Sequence, residues 1–557
     1  MPAPVAASAP AADGSALSHL LLEVVADKTG YPAEMLDMGM QLEGDLGIDS
    51  IKRVEILSAM QDQNPDLPEV DPAAMAGLKT LGQIVEYMGS SSSVSPVQPA
   101  IPAAPQVAPV EYAPVPVLGP VGGVPTPAPV VEPPAQSISL RPADHGLVRT
   151  VLGVREVPAP GLAAQGLHGS GALLVMDDGS GIAVALIEEL RRRGVKAHLM
   201  EELERLPRGS SGVVFLGGLK DVDGPEAAMA VNRAAFQAAR TLGTGLTESG
   251  LFVTVQDTGG DFGISGSLTE DQAVLGGIAG LARTASQEWP ELTVRAIDLE
   301  RGERSARELG RVLCDELVYG GSQLNTGLRV SGERLILIDE DAPVQLGGES
   351  LEAGDLVVVS GGAKGVTAAP IIALAGRVSA RFLLLGRSEL AAEPDWARGQ
   401  TTESDLKRAL MQSQQLEGRT PHPRELGQQV RKVLSSREIQ GTIDAIHASG
   451  SEALYVSVDV TDAVGLASVL NSAREQWGPV RGVIHGAGVI ADKYIVDKSI
   501  EDFDRVFGTK VRGLHALLQA TADDALRLLC CFSSVAARTG NRGQCDYAMA
   551  NEVLNKM

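Results

Sequence analysis

The stretch LVVVSGGAKGVT, residues 356–367, decides the fold of the C-terminal part of this 557-residue chain. An apolar run typical of a buried strand leads into a glycine-rich turn, and a helical pattern follows. Glycines at a strand-to-helix turn let the backbone approach a pyrophosphate, which the helix N-terminus then stabilises. The stretch predicts the first strand, turn and helix of a nucleotide-binding α/β unit, although such a motif alone is weak evidence.

Strand patterns alternate with helical patterns from about residue 138 onward, which is typical of an α/β fold with a parallel sheet. The strands form two series. The first series comprises 172–177, 212–217, 251–257, 294–300 and 334–339. The second series comprises 356–362, 382–388, 453–460, 482–488 and 528–534. We predict two tandem Rossmann-type subdomains with doubly wound parallel sheets, at 138–345 and 350–557.

A long insertion interrupts the second series between its second and third strands. Two amphipathic patterns, 403–418 and 423–450, occupy most of it. Because a structureless loop of this length is unusual, we predict a helical insertion at about 389–450.

The N-terminal part has a different composition. Residues 1–14 are expected to be a flexible N-terminus, and 15–89 carry helical patterns that predict a small all-α domain. Residues 90–137 are rich in proline and alanine and hold 13 of the 32 prolines of the chain. They predict an extended linker, which is either a functional tether or a plain spacer.

Charge and cysteine content limit the possible partners. A net charge of −23 argues against nucleic acid, and no apolar run predicts a membrane span. Residues 15–90 hold 13 acidic against four basic residues, which fits either simple solubility or docking on basic surfaces. The four cysteines form no disulfide framework and no metal-ligand spacing, and no secretory signal is visible. We therefore expect a cytoplasmic protein with no metal site.

The residues around the glycine-rich turn predict NADP as cofactor. Arg387 follows the next strand, where an acidic residue would hold the ribose of NAD, and Lys364 lies in the turn itself. Two cations there suit a 2′-phosphate. The candidate cofactor-binding residues are Ser360, Gly361, Gly362, Lys364, Gly365, Arg387, Ser388, Asp459, Val460 and Gly488.

The corresponding turn of the first series, 177–182, lacks such a set. No tyrosine and lysine pair follows it, so we expect a structural role for the first subdomain and no second active site.

Four residues near the C-terminus form the candidate catalytic set. Lys510, Ser534, Tyr547 and Asn551 follow one another at gaps of 24, 13 and 4. A carbonyl reduction needs a proton donor, a hydroxyl on the substrate oxygen and a cation that makes the phenol more acidic. Tyr547, Ser534 and Lys510 could supply these three functions, and Asn551, one turn after Tyr547, could steady Lys510 or a water.

With these motifs, the second series resembles the catalytic half of a ketoreductase of the short-chain dehydrogenase/reductase superfamily. It is most similar to the type built into polyketide and polyunsaturated fatty acid synthases, in which an asparagine stands four residues after the tyrosine. The first series resembles the cofactor-free structural half of the same domain. The resemblance implies NADPH as hydride donor, and Asp492 implies the R (D-3-hydroxy) course of reduction.

The run LGIDSIKRVEIL, residues 46–57, resembles the acyl carrier proteins of polyunsaturated fatty acid synthases. The resemblance implies a four-helix carrier domain at 15–89 whose Ser50 carries a covalent 4′-phosphopantetheine. The alternative is that Ser50 is only a helix N-cap, the commonest role of serine at that position.

Together the two resemblances imply reduction of a carrier-bound 3-oxoacyl thioester to the 3-hydroxyacyl form. They also imply a phosphopantetheinyl transferase as partner, and condensing, acyltransferase and dehydratase domains on other polypeptides. The sequence stops ten residues after Tyr547, so we expect the catalytic subdomain to be C-terminally incomplete. Two alternatives follow: a carrier and docking scaffold with an inactive reductase, and a reductase of free small molecules.

Overall fold

The computed structural model describes residues 13–31, 33–42, 44–48, 50–64, 78–90, 149–245, 249–266, 268–342, 351–419 and 422–557. These residues fall into two compact units. One is drawn from 1–135 and 391–437, and the other from 136–390 and 438–557. Among the described residues, no helix combines the length and hydropathy needed to cross a bilayer.

The second unit begins with an eight-stranded sheet. Its strands are β1 (Thr150–Glu156), β2 (Ala172–Met176), β3 (Ala197–Met200), β4 (Ser210–Gly218), β5 (Gly250–Gln256), β6 (Leu292–Leu299), β7 (Asn325–Leu328) and β8 (Arg334–Asp341). They lie in the order β1-β8-β7-β6-β5-β4-β2-β3. The connecting helices are α4 (Ile182–Arg192), α5 (Pro225–Gly245), α6 (Glu270–Leu275), α7 (Ile278–Glu288) and α8 (Ala306–Tyr319).

One edge of this sheet differs from the parallel sheet that the sequence predicts. Strand β8 runs antiparallel to both β7 and β1. A reversal at β8 needs only the short connection 329–333 after β7, whereas a parallel pair needs a long crossover. The prediction of a wholly parallel first sheet is therefore wrong at this edge.

The second sheet has five strands, all parallel. Strands β9 (Leu356–Ser360), β10 (Arg381–Gly386), β11 (Glu452–Ser457), β12 (Val480–His485) and β13 (Leu528–Cys531) lie in the order β11-β10-β9-β12-β13. The helices around it are α9 (Gly365–Ala375), α12 (Ala463–Trp477), α13 (Ile500–Ala520), α14 (Ala536–Thr539) and α15 (Cys545–Leu554). The strand order changes direction at β9, which opens a crevice at the carboxyl ends of β9 and β12.

The first sheet and helices of the second subdomain share one apolar core. Phe236 of α5 stacks on Phe503 of α13 with ring centroids 4.8 Å apart, and Met549 and Val553 of α15 are buried in the same cluster. A side chain at Gly280 of α7 would clash with the backbone of Ala548, so glycine lets α7 and α15 approach closely. Helix α15, which carries Tyr547 and Asn551, is thereby held by the first subdomain.

The first unit contains helices α1 (Asp13–Thr29), α2 (Ser50–Gln63) and α3 (Leu81–Ser90). It also contains α10 (Glu403–Leu416) and the start of α11 (Pro423–Ala448), which occupy the predicted insertion. Leu57 and Met60 of α2 are buried. The described part of 13–90 therefore contains three α-helices, and the fourth helix of the resemblance stays a prediction because 65–77 lie outside the described residues.

Candidate active site

A cavity of about 910 Å³ lies at the carboxyl ends of the strands of the second sheet. The glycine-rich turn after β9 forms one wall. Lys510 of α13 and Tyr547 of α15 form another, so the structure brings the predicted cofactor loop and two of the four predicted catalytic residues to one cavity.

The glycine-rich turn is shaped by a close contact with the next parallel connection. Gly361 has φ 69°, and a Cβ there would lie 2.7 Å from Cα of Ala487. Only glycine avoids both the strain and the clash. The turn thus presents main chain to the cavity, as pyrophosphate binding requires.

Helix α9 begins at Gly365, whose N–H donates to a carboxylate oxygen of Glu438 at 2.8 Å. Glu438 lies on α11 and lines the same cavity. The sequence analysis missed this residue, because the contact depends on how α11 packs. The place where a helix N-terminus stabilises an anion thus already faces a negative charge.

One end of the cavity carries the two cations that the sequence predicts for a 2′-phosphate. Arg387 and Lys364 line it, and the Lys364 amine donates to Oγ of Ser388 at 3.1 Å. Asp459 and Val460 line the cavity beyond the end of β11, and the Tyr455 hydroxyl donates to the Ser388 carbonyl at 2.6 Å. Of the described candidates for cofactor binding, Ser360 and Gly362 do not line the cavity; Ser360 ends β9 and Gly362 lies within the turn.

The Lys510 amine lies 5.4 Å from the centre of the Tyr547 ring and donates to the Phe532 carbonyl at 2.9 Å. Lys510 is only 3% exposed. Burial lowers the pKa of Lys510 to about 8, because a desolvated ammonium is less stable than a hydrated one. The side chain is thus still mostly charged at neutral pH.

His485 ties the glycine-rich turn to the helix that carries Lys510. Its Nδ1 lies 2.7 Å from Oγ of Ser360, and its Nε2 lies 3.0 Å from the Lys510 carbonyl oxygen. A carbonyl only accepts, so Nε2 carries the proton and Nδ1 accepts from the serine hydroxyl. Burial, with the charge of Lys510 adding to it, lowers the pKa of His485 to about 4, which keeps the ring neutral.

The other two predicted catalytic residues lie near the cavity. The Asn551 side chain donates to the Tyr547 carbonyl at 2.8 Å, whereas its own Oδ1 is buried without a partner among the described residues. Oγ of Ser534 accepts from the Ala536 N–H at 3.2 Å. Of the two described serines after β13, Ser533 lines the cavity and Ser534 does not.

A buried ion pair positions Tyr547, and the sequence analysis missed it. Lys498 and Asp546 are 0% and 1% exposed at their side chains, with nitrogen and oxygen 2.9 Å apart. Oδ1 of Asp546 accepts from the Tyr547 N–H at 2.8 Å. No sequence pattern marks either residue, because their burial arises only when α15 packs against the loop before α13.

Asp492, the candidate marker of stereochemistry, lies on that same loop. Its carboxylate accepts from the Gln544 amide at 3.1 and 3.0 Å. The neighbouring Lys493 N–H donates to the Gly543 carbonyl at 3.0 Å. Asp492 therefore fixes the loop against the segment that leads into α15.

The corresponding turn of the first subdomain is closed by its own carboxylates. Oδ1 of Asp178 accepts from the Ala183 N–H in the first turn of α4, and Asp177 accepts from Gly179. Asp178 is 5% exposed. A buried carboxylate at this helix N-terminus repels a second anion, which disfavours a pyrophosphate here.

The cavity fits a dinucleotide. It offers main-chain N–H groups at a helix N-terminus and, at one end, the two cations Lys364 and Arg387. Among the described residues, no cluster of His, Cys, Asp and Glu is arranged to hold a metal ion.

Two family models match the chain. The KR domain model matches residues 356–557, and the phosphopantetheine attachment site model matches residues 19–88. One of the polyunsaturated fatty acid synthase proteins of Thraustochytrium is 32% identical over 97% of this chain. The chain is a carrier–ketoreductase didomain of the polyketide and polyunsaturated fatty acid synthase type.

The didomain is a small part of the relatives it matches. It spans 20% of the Thraustochytrium protein, and 3% of a polyketide synthase of Bacillus subtilis that is 37% identical over 20% of this chain.

Solved ketoreductases share its fold. One from a macrolactin assembly line is 16% identical, with a TM-score of 0.53 over 73% of this chain and 78% of its own. An A-type ketoreductase of a modular polyketide synthase is 22% identical, with a TM-score of 0.51 over 73% and 80%. These similarities place the described α/β sheets in a ketoreductase fold.

Proposed function

We propose that the didomain reduces a 3-oxoacyl thioester, held on a 4′-phosphopantetheine arm at Ser50, to the 3-hydroxyacyl thioester with NADPH. The observation that carries the proposal is the placement of the Lys510 amine 5.4 Å from the Tyr547 ring centre, on the cavity that the glycine-rich turn also lines. The family models support the coarser statement, a carrier joined to a ketoreductase.

The residues of this chain would hold the cofactor and move one proton. The turn 361–365 receives the pyrophosphate, and Arg387 with Lys364 selects the 2′-phosphate. NADPH, when bound, supplies the hydride to the carbonyl carbon. Tyr547 donates its hydroxyl proton to the carbonyl oxygen, and the Lys510 ammonium stabilises the phenolate that remains.

Ser534 and Asn551 complete the proposed set. Ser534 donates a hydrogen bond to the substrate carbonyl and orients it. Its hydroxyl now faces the Ala536 N–H, so it must turn toward the cavity when substrate arrives. Asn551 Oδ1 accepts from a water that returns the proton to Tyr547 by way of Lys510.

Delivery of the substrate rests on the carrier. Ser50 starts α2, and a phosphodiester at a helix N-terminus is electrostatically favoured. A phosphopantetheinyl transferase adds the arm, and condensing, acyltransferase and dehydratase domains of the same synthase build and process the acyl chain. The Asp492 loop directs the R course of reduction.

The test is NADPH oxidation with two substrates, a free 3-oxoacyl thioester and the same acyl group loaded on Ser50. Tyr547→Phe should lower turnover of both by about 10²-fold or more, because the proton donor is lost. Ser50→Ala should abolish only the loaded reaction. No NADPH oxidation with either substrate would favour the inactive scaffold, and equal turnover of unrelated free ketones would favour a small-molecule reductase.

Cofactor choice and product configuration have separate tests. Arg387→Ala should lower the preference for NADPH over NADH by about tenfold or more, because a charge-assisted contact to the 2′-phosphate is lost. Chiral chromatography of the product reads the configuration directly, and an S product would contradict the role given to Asp492.

A further inference from the structure

Helices α10 and α11 carry an apolar surface that the ketoreduction chemistry does not use. The surface lies on the segment 391–437, which falls inside the KR match in sequence but belongs to the compact unit of the carrier. Its buried members join the carrier helices in one continuous apolar cluster, and they are Ala397, Leu406, Leu410, Leu426, Val430 and Val433.

Polar contacts fix how the carrier lies on this surface. The Lys407 amine of α10 donates to the Thr29 carbonyl at 2.7 Å and lies 4.2 Å from the centre of the Tyr31 ring. Tyr31 in turn donates its hydroxyl to the Pro423 carbonyl at 3.0 Å. Lys407 and Tyr31 are 4% and 2% exposed, so each contact is shielded from water.

Two glycines mark how close the two surfaces are. A Cβ at Gly427 of α11 would lie 2.8 Å from the Tyr31 hydroxyl, and one at Gly30 would lie 2.7 Å from Cα of Ser404. A helix interior normally disfavours glycine by about 1 kcal/mol relative to alanine. Gly427 leaves the space that the Tyr31 side chain occupies.

The charges of the two surfaces also favour binding of the carrier to this segment. The segment 391–437 holds eight Lys/Arg against six Asp/Glu in a chain of net charge −23, and the carrier is strongly acidic. Arg431 of α11 places Nη1 3.0 Å from the position of a Cβ on Gly47, three residues before Ser50. A cation therefore lies beside the loop that leads to the attachment serine.

We propose that the segment 391–437 is a docking element for the acyl carrier, and that its occupant is the carrier domain of the same chain. The contact is mainly apolar, with Lys407, Tyr31 and Gly427 setting the orientation. The insertion thus provides the reductase sequence with a surface that recognises its own substrate carrier.

The test uses the full chain and reads access to Lys407. Acetylation by an amine-reactive ester is followed by mass spectrometry, with the exposed Lys432 of α11 as internal reference. Burial lowers the pKa of Lys407, which raises its reactive neutral fraction, so slow labelling reports lack of access. In the unmodified chain, Lys407 should be acetylated at about one tenth of the rate of Lys432 or more slowly.

Gly427→Leu should bring the two labelling rates within about threefold, because the new side chain occupies the Tyr31 site. Gly441→Leu is the matched control: Gly441 lies on the same helix, and a Cβ there meets nothing within 4 Å. Tyr31→Ala changes the carrier side of the contact and should also expose Lys407. Because it leaves α11 unaltered, it shows whether the effect of Gly427→Leu comes from loss of the contact or from a local change in α11.

The proposal is overturned if Lys407 of the unmodified chain reacts as fast as Lys432, or if Gly427→Leu and Tyr31→Ala both leave it slow. An equal effect of Gly441→Leu also overturns it. Protection that rises with protein concentration would overturn the assignment to the same chain and give the surface to the carrier of a second copy. None of these readouts needs turnover, so they stay separate from the proposed reductase activity.

Discussion

At the residue scale, the candidate site depends on side chains whose charge is set by burial. The His485 ring donates a hydrogen bond to the main-chain carbonyl of Lys510. The pKa of each of the two side chains is lowered. The physical cause is the same: the interior disfavours the charged form. Because one group stays charged at neutral pH and the other stays neutral, each gives a distinct pH signature.

Lys510 predicts an upper pH limit for the reaction. Its pKa of about 8 means that the charge beside Tyr547 is lost above that pH. We expect kcat/KM for NADPH to fall about tenfold per pH unit above about 8. Lys510→Arg keeps the charge, so its descending limb should move to higher pH, whatever its absolute rate. A limb near pH 8 in both proteins would show that another group is responsible.

His485 predicts acid lability. Its folded-state pKa of about 4 lies below the unfolded value of about 6.5, so the unfolded chain binds more protons as the pH falls through this window. Relative to His485→Gln, the free energy of unfolding of the wild type should fall by about 3 kcal/mol between pH 7 and pH 4.

Urea unfolding at each pH gives the difference between the two curves. Asp298 and Asp546, whose pKa values burial raises to about 6, titrate in both proteins and cancel. Parallel curves for wild type and variant would contradict a buried neutral imidazole.

At the element scale, two anions compete for the N-terminus of helix α9: the Glu438 carboxylate and the proposed pyrophosphate of the cofactor. The Gly365 N–H at the start of α9 points at the Glu438 carboxylate, in the region proposed for the pyrophosphate. Like charges in one place repel, and a single N–H cannot serve both acceptors fully. The Glu438 carboxylate must therefore either move away when the cofactor binds or remain in place and weaken its binding.

Glu438→Gln should lower the KM for NADPH by about three- to tenfold, since the helix end would then face no fixed charge. Asp444→Asn, on the same helix and exposed, removes an equal charge away from the turn and should change KM little. Kinetics at low and high salt should show a smaller effect at high salt. An unchanged KM at low salt would mean that Glu438 leaves the turn without cost.

At the scale of the whole molecule, the first subdomain of the reductase holds the catalytic helix in place. Arg283 of α7 contacts Glu552 of α15 at 2.9 Å and donates to the Ala537 carbonyl at 2.6 Å. Arg283 and Glu552 are 1% and 3% exposed. The first subdomain thus fixes the position of α15, which carries the proposed proton donor Tyr547.

Arg283→Met should lower the free energy of unfolding by about 3 kcal/mol, the lower end for breaking a buried pair, because Lys556 still contacts Glu552. Turnover should fall as well, since α15 carries Tyr547. Denaturant unfolding and NADPH oxidation measure the two effects. Adding Glu552→Gln should restore part of the stability, and a double variant less stable than Arg283→Met would contradict the pairing.

The sequence by itself determined the elements whose pattern is local. The glycine-rich turn, the five strands of the second series, the two helices of the insertion and the spacing of Lys510, Ser534, Tyr547 and Asn551 are all readable along the chain. Periodicity and turn chemistry act between near neighbours, so they survive without tertiary information. The resemblance to the ketoreductase family was also recognisable from the sequence, because the motif residues follow one another in a fixed order.

Only the tertiary structure decided which groups meet across long separations. The antiparallel edge at β8, the Lys498–Asp546 pair, the Glu438 carboxylate at Gly365 and the carrier on α10 and α11 join residues that no local pattern links. Burial and charge pairing depend on which faces pack together, and a linear sequence does not state those contacts. The candidate residues were therefore readable from the motif, whereas their burial and the pKa shifts that follow from it depend on the packing.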